Sequence, residues 1–209
     1  MISGRRASEQ VYLLIKRELL SGQFRPGDRV DSASLRPIVG TSHIPVREVL
    51  QRLCGEGLID SFRGEGFFIP YVTEVSLAGQ FEFLHTLLRF CARKGMPPDP
   101  ILLNHIDFEA LRILPKADRT ARLFQAVAIA SRNIGAERAV RQANDGLHVV
   151  RTLTRDLIPN RFREFDQLIE TWRAGELPAF EAALAAYFER RLALVPQFVR
   201  RLERPADLI

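Results

Sequence analysis

The sequence predicts a mainly α protein in two parts: a small front domain of three short helices closed by a β-hairpin, residues 1–71, and an all-α helical bundle, residues 72–209. Three observations predict it. Apolar residues recur at helical spacing through most of the chain. The one stretch that reads as strands, residues 58–69, carries two glycines at its middle, as a tight hairpin requires. Beyond Pro70-Tyr71-Val72, which reads as a linker, strand signals vanish.

Composition narrows the class. A chain of 209 residues with 46% hydrophobic content can hold two modest cores and is not a disordered chain. No apolar run approaches the roughly 20 residues of a membrane helix, and the N-terminus lacks the apolar stretch of a signal peptide, so a cytoplasmic protein with no membrane partner is expected. Cys54 and Cys91 sit in apolar helical patterns at no paired spacing and read as small core residues in a reducing compartment. Lys and Arg number 30 against 25 Asp and Glu, a formal net charge of +5. The surplus is spread along the chain: residues 1–71 hold ten basic and eight acidic side chains. Charge alone favours a nucleic-acid partner only weakly, and the pattern must decide.

In the front domain, Ser8 is expected to cap a first helix with Val11, Leu14, Ile15 and Leu19 on one face. Ser21-Gly22 ends it, Pro26-Gly27-Asp28 makes a turn, and residues 28–30 form a short extended piece. Asp31 or Ser32 starts a second helix through Leu35, Ile38 and Val39, with Pro37 keeping it short and Gly40 closing it. Ser42 reads as the N-cap of a third helix whose first turn holds Pro45. Val46, Val49, Leu50 and Leu53 form its inward stripe, and His43, Arg47 and Gln51 stack on the opposite face four residues apart. Gly55 or Gly57 stops it. Residues 58–62 and 67–69 read as two strands joined by Arg63-Gly64-Glu65-Gly66, with Arg63 at the tip.

Three helices followed by a hairpin form a winged helix-turn-helix, in which the third helix enters the DNA major groove and the wing reaches the neighbouring backbone or minor groove. Arg47 can pair with guanine or hold a phosphate, and Ser42 and His43 can donate to either. Residues 11–71 resemble the DNA-binding domain of the GntR family of bacterial regulators. The matching residues include Leu20-Ser21-Gly22, Pro26-Gly27-Asp28, Pro45-Val46-Arg47-Glu48-Val49-Leu50, Glu56-Gly57-Leu58-Ile59 and the Arg63-Gly64-x-Gly66 wing. The resemblance implies DNA contacts from Ser42, His43, Arg47, Arg63 and Gly64, with Gln51 on the same face, and a homodimer reading a near-palindromic double-stranded operator. His43 stands where the family often has Arg.

Beyond the linker, five helices are expected. Phe81, Leu84, Leu87, Leu88 and Cys91 mark the first, and Leu123, Phe124, Val127 and Ala130 the second. Residues 136–157 form a third. Phe162, Phe165, Leu168, Ile169 and Trp172 mark a fourth, stopped by Gly175, and a fifth runs from Phe180 through Val195 to Pro196. Residues 95–100 read as a loop. Most of these aromatics are read as core.

This half is similar to the helical FCD domain of the FadR subfamily, through Leu123-Phe124-Gln125 with Ala130-Ser131-Arg132-Asn133, and through Leu168-Ile169-x-x-Trp172-Arg173-Ala174-Gly175-Glu176. The resemblance implies dimerisation and control by a small organic effector, which many such domains grip through a divalent metal. The positions that would ligate the metal hold Ala121, Gln125, Phe165 and Tyr187, so no metal or other cofactor is expected. His85, Arg122, Gln125 and Tyr187 are the candidate effector residues; the alternative is a packed, ligand-free core and a ligand-independent dimeric regulator or adaptor. An enzyme is a remote alternative: the sequence has no nucleophile–base pair, phosphate loop or H-E-x-x-H signature. Glu164 and Asp166 read as solvated helix residues.

Overall fold

The computed structural model describes residues 2–39, 46–159 and 161–203. The chain divides into two compact units, Met1–Val72 with Leu202–Ile209, and Thr73–Arg201.

The first unit contains α1 (Ile2–Leu20), β1 (Arg29–Val30), α2 (Ser32–Val39), α3 (Val46–Gly55), β2 (Asp60–Phe62) and β3 (Gly66–Phe68). Helix α1 begins six residues before Ser8, which therefore lies inside it and caps nothing. Arg5, Arg6 and Ala7 are good helix formers, so the local sequence gives the helix no reason to start at Ser8. Helix α2 is capped by Asp31, whose Oδ1 accepts the N–H groups of Ala33 and Ser34 at 3.0 and 2.9 Å, while the Ser34 hydroxyl accepts the Asp31 N–H at 3.0 Å. This is a reciprocal capping arrangement. The Ser34 N–H leads the contacts that hold the Asp31 carboxyl below its ordinary range. Helix α3 ends in a Schellman pair, Leu58 N–H to Leu53 O and Gly57 N–H to Cys54 O.

The extended piece before α2 joins the hairpin, giving a three-stranded antiparallel sheet in the order β1-β3-β2 with Arg29 opposite Phe68 and Ser61 opposite Phe67. A two-residue strand carries no periodicity, so this third strand is visible only in three dimensions. Gly27 makes the pairing possible. Its N–H donates to Ile69 O at 2.9 Å, its φ is +85°, and a Cβ there would lie 2.8 Å from the Tyr71 ring. The core joins Val11, Tyr12, Ile15 and Leu19 of α1 to Leu35 of α2 and Val49, Leu50 and Leu53 of α3. Burying each of the larger aliphatic side chains contributes about 1.5–3 kcal/mol, and together they fix which face of α3 is left outside.

The second unit is all helical: α4 (Glu74–Gly95), α5 (Pro100–Asn104), α6 (Phe108–Ile113), α7 (Lys116–Ala130), α8 (Ile134–Gly146), α9 (His148–Leu153), a 3-10 turn (Arg155–Leu157), α10 (Arg161–Ala174), α11 (Leu177–Ala193) and α12 (Val195–Leu202). Helix α4 packs against α7, α8 and α11, around the buried rings of Phe81, Phe124, Phe180 and Phe188. Three expectations are corrected. The helix expected over residues 136–157 is broken after Gly146, a residue of low helix propensity, with Leu147 as the cap between α8 and α9. Pro196 does not end a helix but lies in the first turn of α12, where its missing N–H costs no hydrogen bond. Helices α5 and α6, capped by Asp99 and Asp107, are too short to show a hydrophobic period and lie between prolines.

Candidate nucleic-acid interface

Because Val49, Leu50 and Leu53 point into the core, α3 turns Arg47 and Gln51 to solvent. The hairpin puts its tip beside them. The turn Phe62-Arg63-Gly64-Glu65 closes through Glu65 N–H to Phe62 O at 3.1 Å, with Gly64 at φ +83°, the left-handed third position of a type II turn. Arg47, Gln51, Arg63 and Gly64 thereby line one concave face of about 600 Å³, together with Asp31, Ser32 and Arg29. Ser42 and His43, with Gly40 and Pro45, lie outside the described residues.

Arg29 is a site residue the sequence reading missed. It alternates with buried Val30 on β1, so its side chain faces out, and its Nε lies 3.6 Å from where a Cβ on Gly66 would stand. Its nearest acid, Asp31, is 3.8 Å away and is committed to capping α2. The extended piece expected over residues 28–30 located it, but two residues show no alternation that would say which way Arg29 faces.

A polar network ties α1 to α3 and the residue that follows it. The Tyr12 hydroxyl donates to Glu56 Oε2 at 2.7 Å, Lys16 Nζ reaches the same oxygen at 3.1 Å, and the Arg52 guanidinium stacks 3.5 Å from the Tyr12 ring centroid while binding Glu9 at 2.7 Å. Burial, followed by the Glu56 contact, raises the Tyr12 phenol above its ordinary value. Burial alone would raise the Glu56 carboxyl; the Tyr12 and Lys16 hydrogen bonds outweigh it and hold that group low.

In the second unit two of the four candidate effector residues line one cleft and two pack elsewhere. Arg122 and Gln125 line a cleft of about 440 Å³ with Trp172, whereas His85 and Tyr187 do not line it. His85 stacks on Phe188 with ring centroids 4.8 Å apart, and Tyr187 packs edge-on against Phe124 at 5.3 Å. Burial, followed by the charge of Arg89, lowers the His85 pKa and so favours the neutral imidazole. His148 lies 3.1 Å from Asp118, and the Asn144 amide donates to the Ala121 carbonyl at 3.1 Å. Among the described residues no group of three His, Cys, Asp or Glu side chains is placed to hold a metal ion.

The expectation for Glu164 is corrected as well. Glu164 is not solvated: it is buried and accepts two hydrogen bonds from Arg191, at 2.8 and 2.6 Å. Asp166, two residues on, is exposed, 3.5 Å from Arg112. The Arg191 that buries Glu164 comes from a helix 27 residues away in sequence, so no local pattern announces the pair.

A helix-turn-helix with an arginine-tipped wing, presenting its polar third helix on an open face, defines a DNA-binding protein. Residues 7–69 match the family model described as bacterial regulatory proteins, gntR family. The match covers 63 of the 209 residues, within the first unit. An uncharacterized HTH-type transcriptional regulator of Mycobacterium tuberculosis is 28% identical over 189 residues, 90% of this chain and 74% of that one. The HTH-type regulator YdhC of Bacillus subtilis is 33% identical over 107 residues, 51% of this chain and 45% of its own length. In overall fold the chain resembles the transcriptional regulator GntR of Rhodococcus sp. RHA1, with a TM-score of 0.73 at 17% identity over 91% of this chain and 97% of that one. It also resembles E. coli McbR/YncC, with a TM-score of 0.67 at 19% identity and the same coverage of 91% and 97%. No helix among the described residues is long and apolar enough to cross a membrane.

Proposed function

We propose that this chain is a GntR-family transcriptional regulator that acts in the cytoplasm as a homodimer on a near-palindromic operator, with its all-α unit, of the FCD type found in the FadR subfamily, setting the spacing of two recognition helices and answering to a small organic effector. The observation that carries the DNA reading is the single concave face holding Arg47, Gln51, Arg63 and Gly64. Ser42 and His43 belong to the same proposed contact set, since they immediately precede α3 in sequence.

The dimer reading rests on α4. Its inner face is buried, yet its other side carries Val75, Phe83 and Phe90 in the open, with Phe83 55% exposed, and Gly79 among them has nothing within 4 Å of where a Cβ would stand. Such an apolar stripe on a helix suits the same stripe on a second copy.

Purified protein should retard a near-palindromic fragment from its own upstream region, with affinity falling as salt rises. Equal binding to random duplex would sink the operator reading. Phe83→Glu should convert a dimer to monomers in sedimentation; a wild-type chain that sediments as a monomer at micromolar concentration would remove the dimer. A ligand-independent dimeric regulator or adaptor is the second reading, favoured by the packing of His85 and Tyr187 inside the aromatic core. Biological action that survives Arg47→Ala would favour the adaptor.

A further inference from the structure

Resting on the DNA reading above, we propose that the hollow shared by α3 and the wing seats a sugar–phosphate ridge of the duplex, and that Arg29 holds one phosphate of that ridge. A recognition helix takes up the width of the major groove, about 12 Å, while a wing reaches the backbone or minor groove beside it. The hollow that both of them line therefore faces what separates the two grooves, which is the phosphate backbone. Its volume of about 600 Å³ is bounded by Arg47, Gln51, Arg63 and Gly64, and β1 contributes Arg29 to the same lining.

Three features fit Arg29 to a phosphate rather than to a base. It stands on a strand, opposite Phe68 of β3, and not on the helix that enters the groove. Its side chain is 61% exposed, and its Nε and Nη2 lie 3.6 and 3.7 Å from where a Cβ on Gly66 would stand, so the glycine leaves the guanidinium open beside the wing. The third feature is charge. Two acids, Asp31 and Glu65, also line the hollow. Asp31 Oδ1 takes the Ala33 and Ser34 N–H groups, so the start of α2 is already capped and leaves those amides to no other anion. Asp31 Oδ2 lies 3.8 Å from Arg29 Nε, too far for a hydrogen bond. At that distance Asp31 steers the guanidinium by charge and leaves its Nε–H to a phosphate oxygen. The planar fork of N–H donors on arginine matches the oxygens of a phosphate. Arg29 is therefore a positioning residue: it fixes the register of α3 on the duplex while side chains of α3 read the bases.

The test is a salt series with the full-length protein, read by fluorescence anisotropy on the operator fragment and on a random duplex. Arg29→Gln removes the charge at an exposed position, so the thermal midpoint should stay put. The slope of log affinity against log salt should fall by about 0.9 for each Arg29 engaged. Taking the contact as nil at about 1 M salt, each one lost should weaken binding about fifteenfold at 50 mM and about fourfold at 200 mM. The factor should be the same on both duplexes, and Arg29→Lys should restore the slope. A methylphosphonate moved along the operator should find one position where the wild type loses affinity and Arg29→Gln loses no more. Loss confined to the operator fragment would make Arg29 a base reader. Unchanged affinity and slope, or no such methylphosphonate position, would take Arg29 off the backbone. Each of these results overturns the proposal. The DNA reading fails differently: a wild type that binds operator no better than random duplex removes the operator, while the Arg29 comparison still stands on the random duplex. A wild type that binds neither duplex overturns both.

Discussion

The two units of this chain use arginine in opposite ways. In the first, Arg29, Arg47 and Arg63 stand in water on one concave face. In the second, Arg191 and Arg151 are buried, Arg191 with only 2% of its surface exposed. An exposed guanidinium is already solvated and free to exchange water for a phosphate or a base edge, so it serves recognition. A buried one has lost its water and must be repaid within the fold. Arg191 is repaid by Glu164 with two short bonds and by the Tyr187 carbonyl at 2.7 Å. Arg151 is not: it binds Asn144 Oδ1 at 3.1 Å, while its Nε and Nη2 have no partner. Burial, the leading cause, pulls the Arg151 pKa down.

The contrast can be broken most forcefully at Glu164. Glu164→Ala strands Arg191 as an uncompensated buried cation and should destabilise the second unit by about 3–5 kcal/mol, read as a large fall in urea midpoint. A loss under about 1 kcal/mol would mean the pair is solvated after all. Next in size is Arg47→Ala, expected to weaken operator binding by about 1–3 kcal/mol and relax discrimination at one base position, with the thermal midpoint unchanged because nothing in the core is touched. Equal loss on operator and random duplex would make Arg47 a phosphate contact.

A smaller effect is expected at the network between α1 and α3. Tyr12→Phe removes the hydroxyl bond to Glu56 and should lower stability by about 1.5–3 kcal/mol at most, the range for a bond to a charged group; Glu56 is only partly buried, which argues for the low end. The pH dependence has a definite sign. Glu56 is held low in the folded state, so its contribution is present at neutral pH and is lost as pH falls through its folded pKa, below the ordinary carboxylate range. Tyr12 is raised, so its contribution is present below the ordinary phenol value and is lost only as pH rises through the higher folded one. Glu56→Gln should flatten the acid limb of the stability curve; an unchanged limb would remove Glu56 from the account. The smallest change, of opposite sign, is Arg151→Met: its two unpartnered nitrogens make replacement neutral or stabilising by up to about 1 kcal/mol. A large destabilisation there would show that Arg151 has partners in solution.

The recognition helix, its glycine stop and the wing were legible in the sequence because each is signalled within a dozen residues. The stripe of Val49, Leu50 and Leu53 sets a face, Gly57 closes the helix, and Gly64 turns the hairpin. Helices α5 and α6 were not legible, since five or six residues cannot show a helical period. The break after Gly146 was missed because a single glycine inside a helical pattern can be tolerated as readily as it can end the helix. The effector foursome was grouped by its place in a resemblance, and the fold divides it between a cleft and an aromatic core.

The order of residues alone determined the class of the front domain and the outward placement of Arg47 and Gln51, because apolar periodicity and turn chemistry act over short separations. Only the tertiary structure decided that Arg29 joins them, that Glu164 is buried against Arg191, and that Trp172 is buried with its N–H unpaired. Those outcomes depend on which side chains from distant helices arrive at the same place, and burial sets the cost of a charge or a donor only after they have arrived.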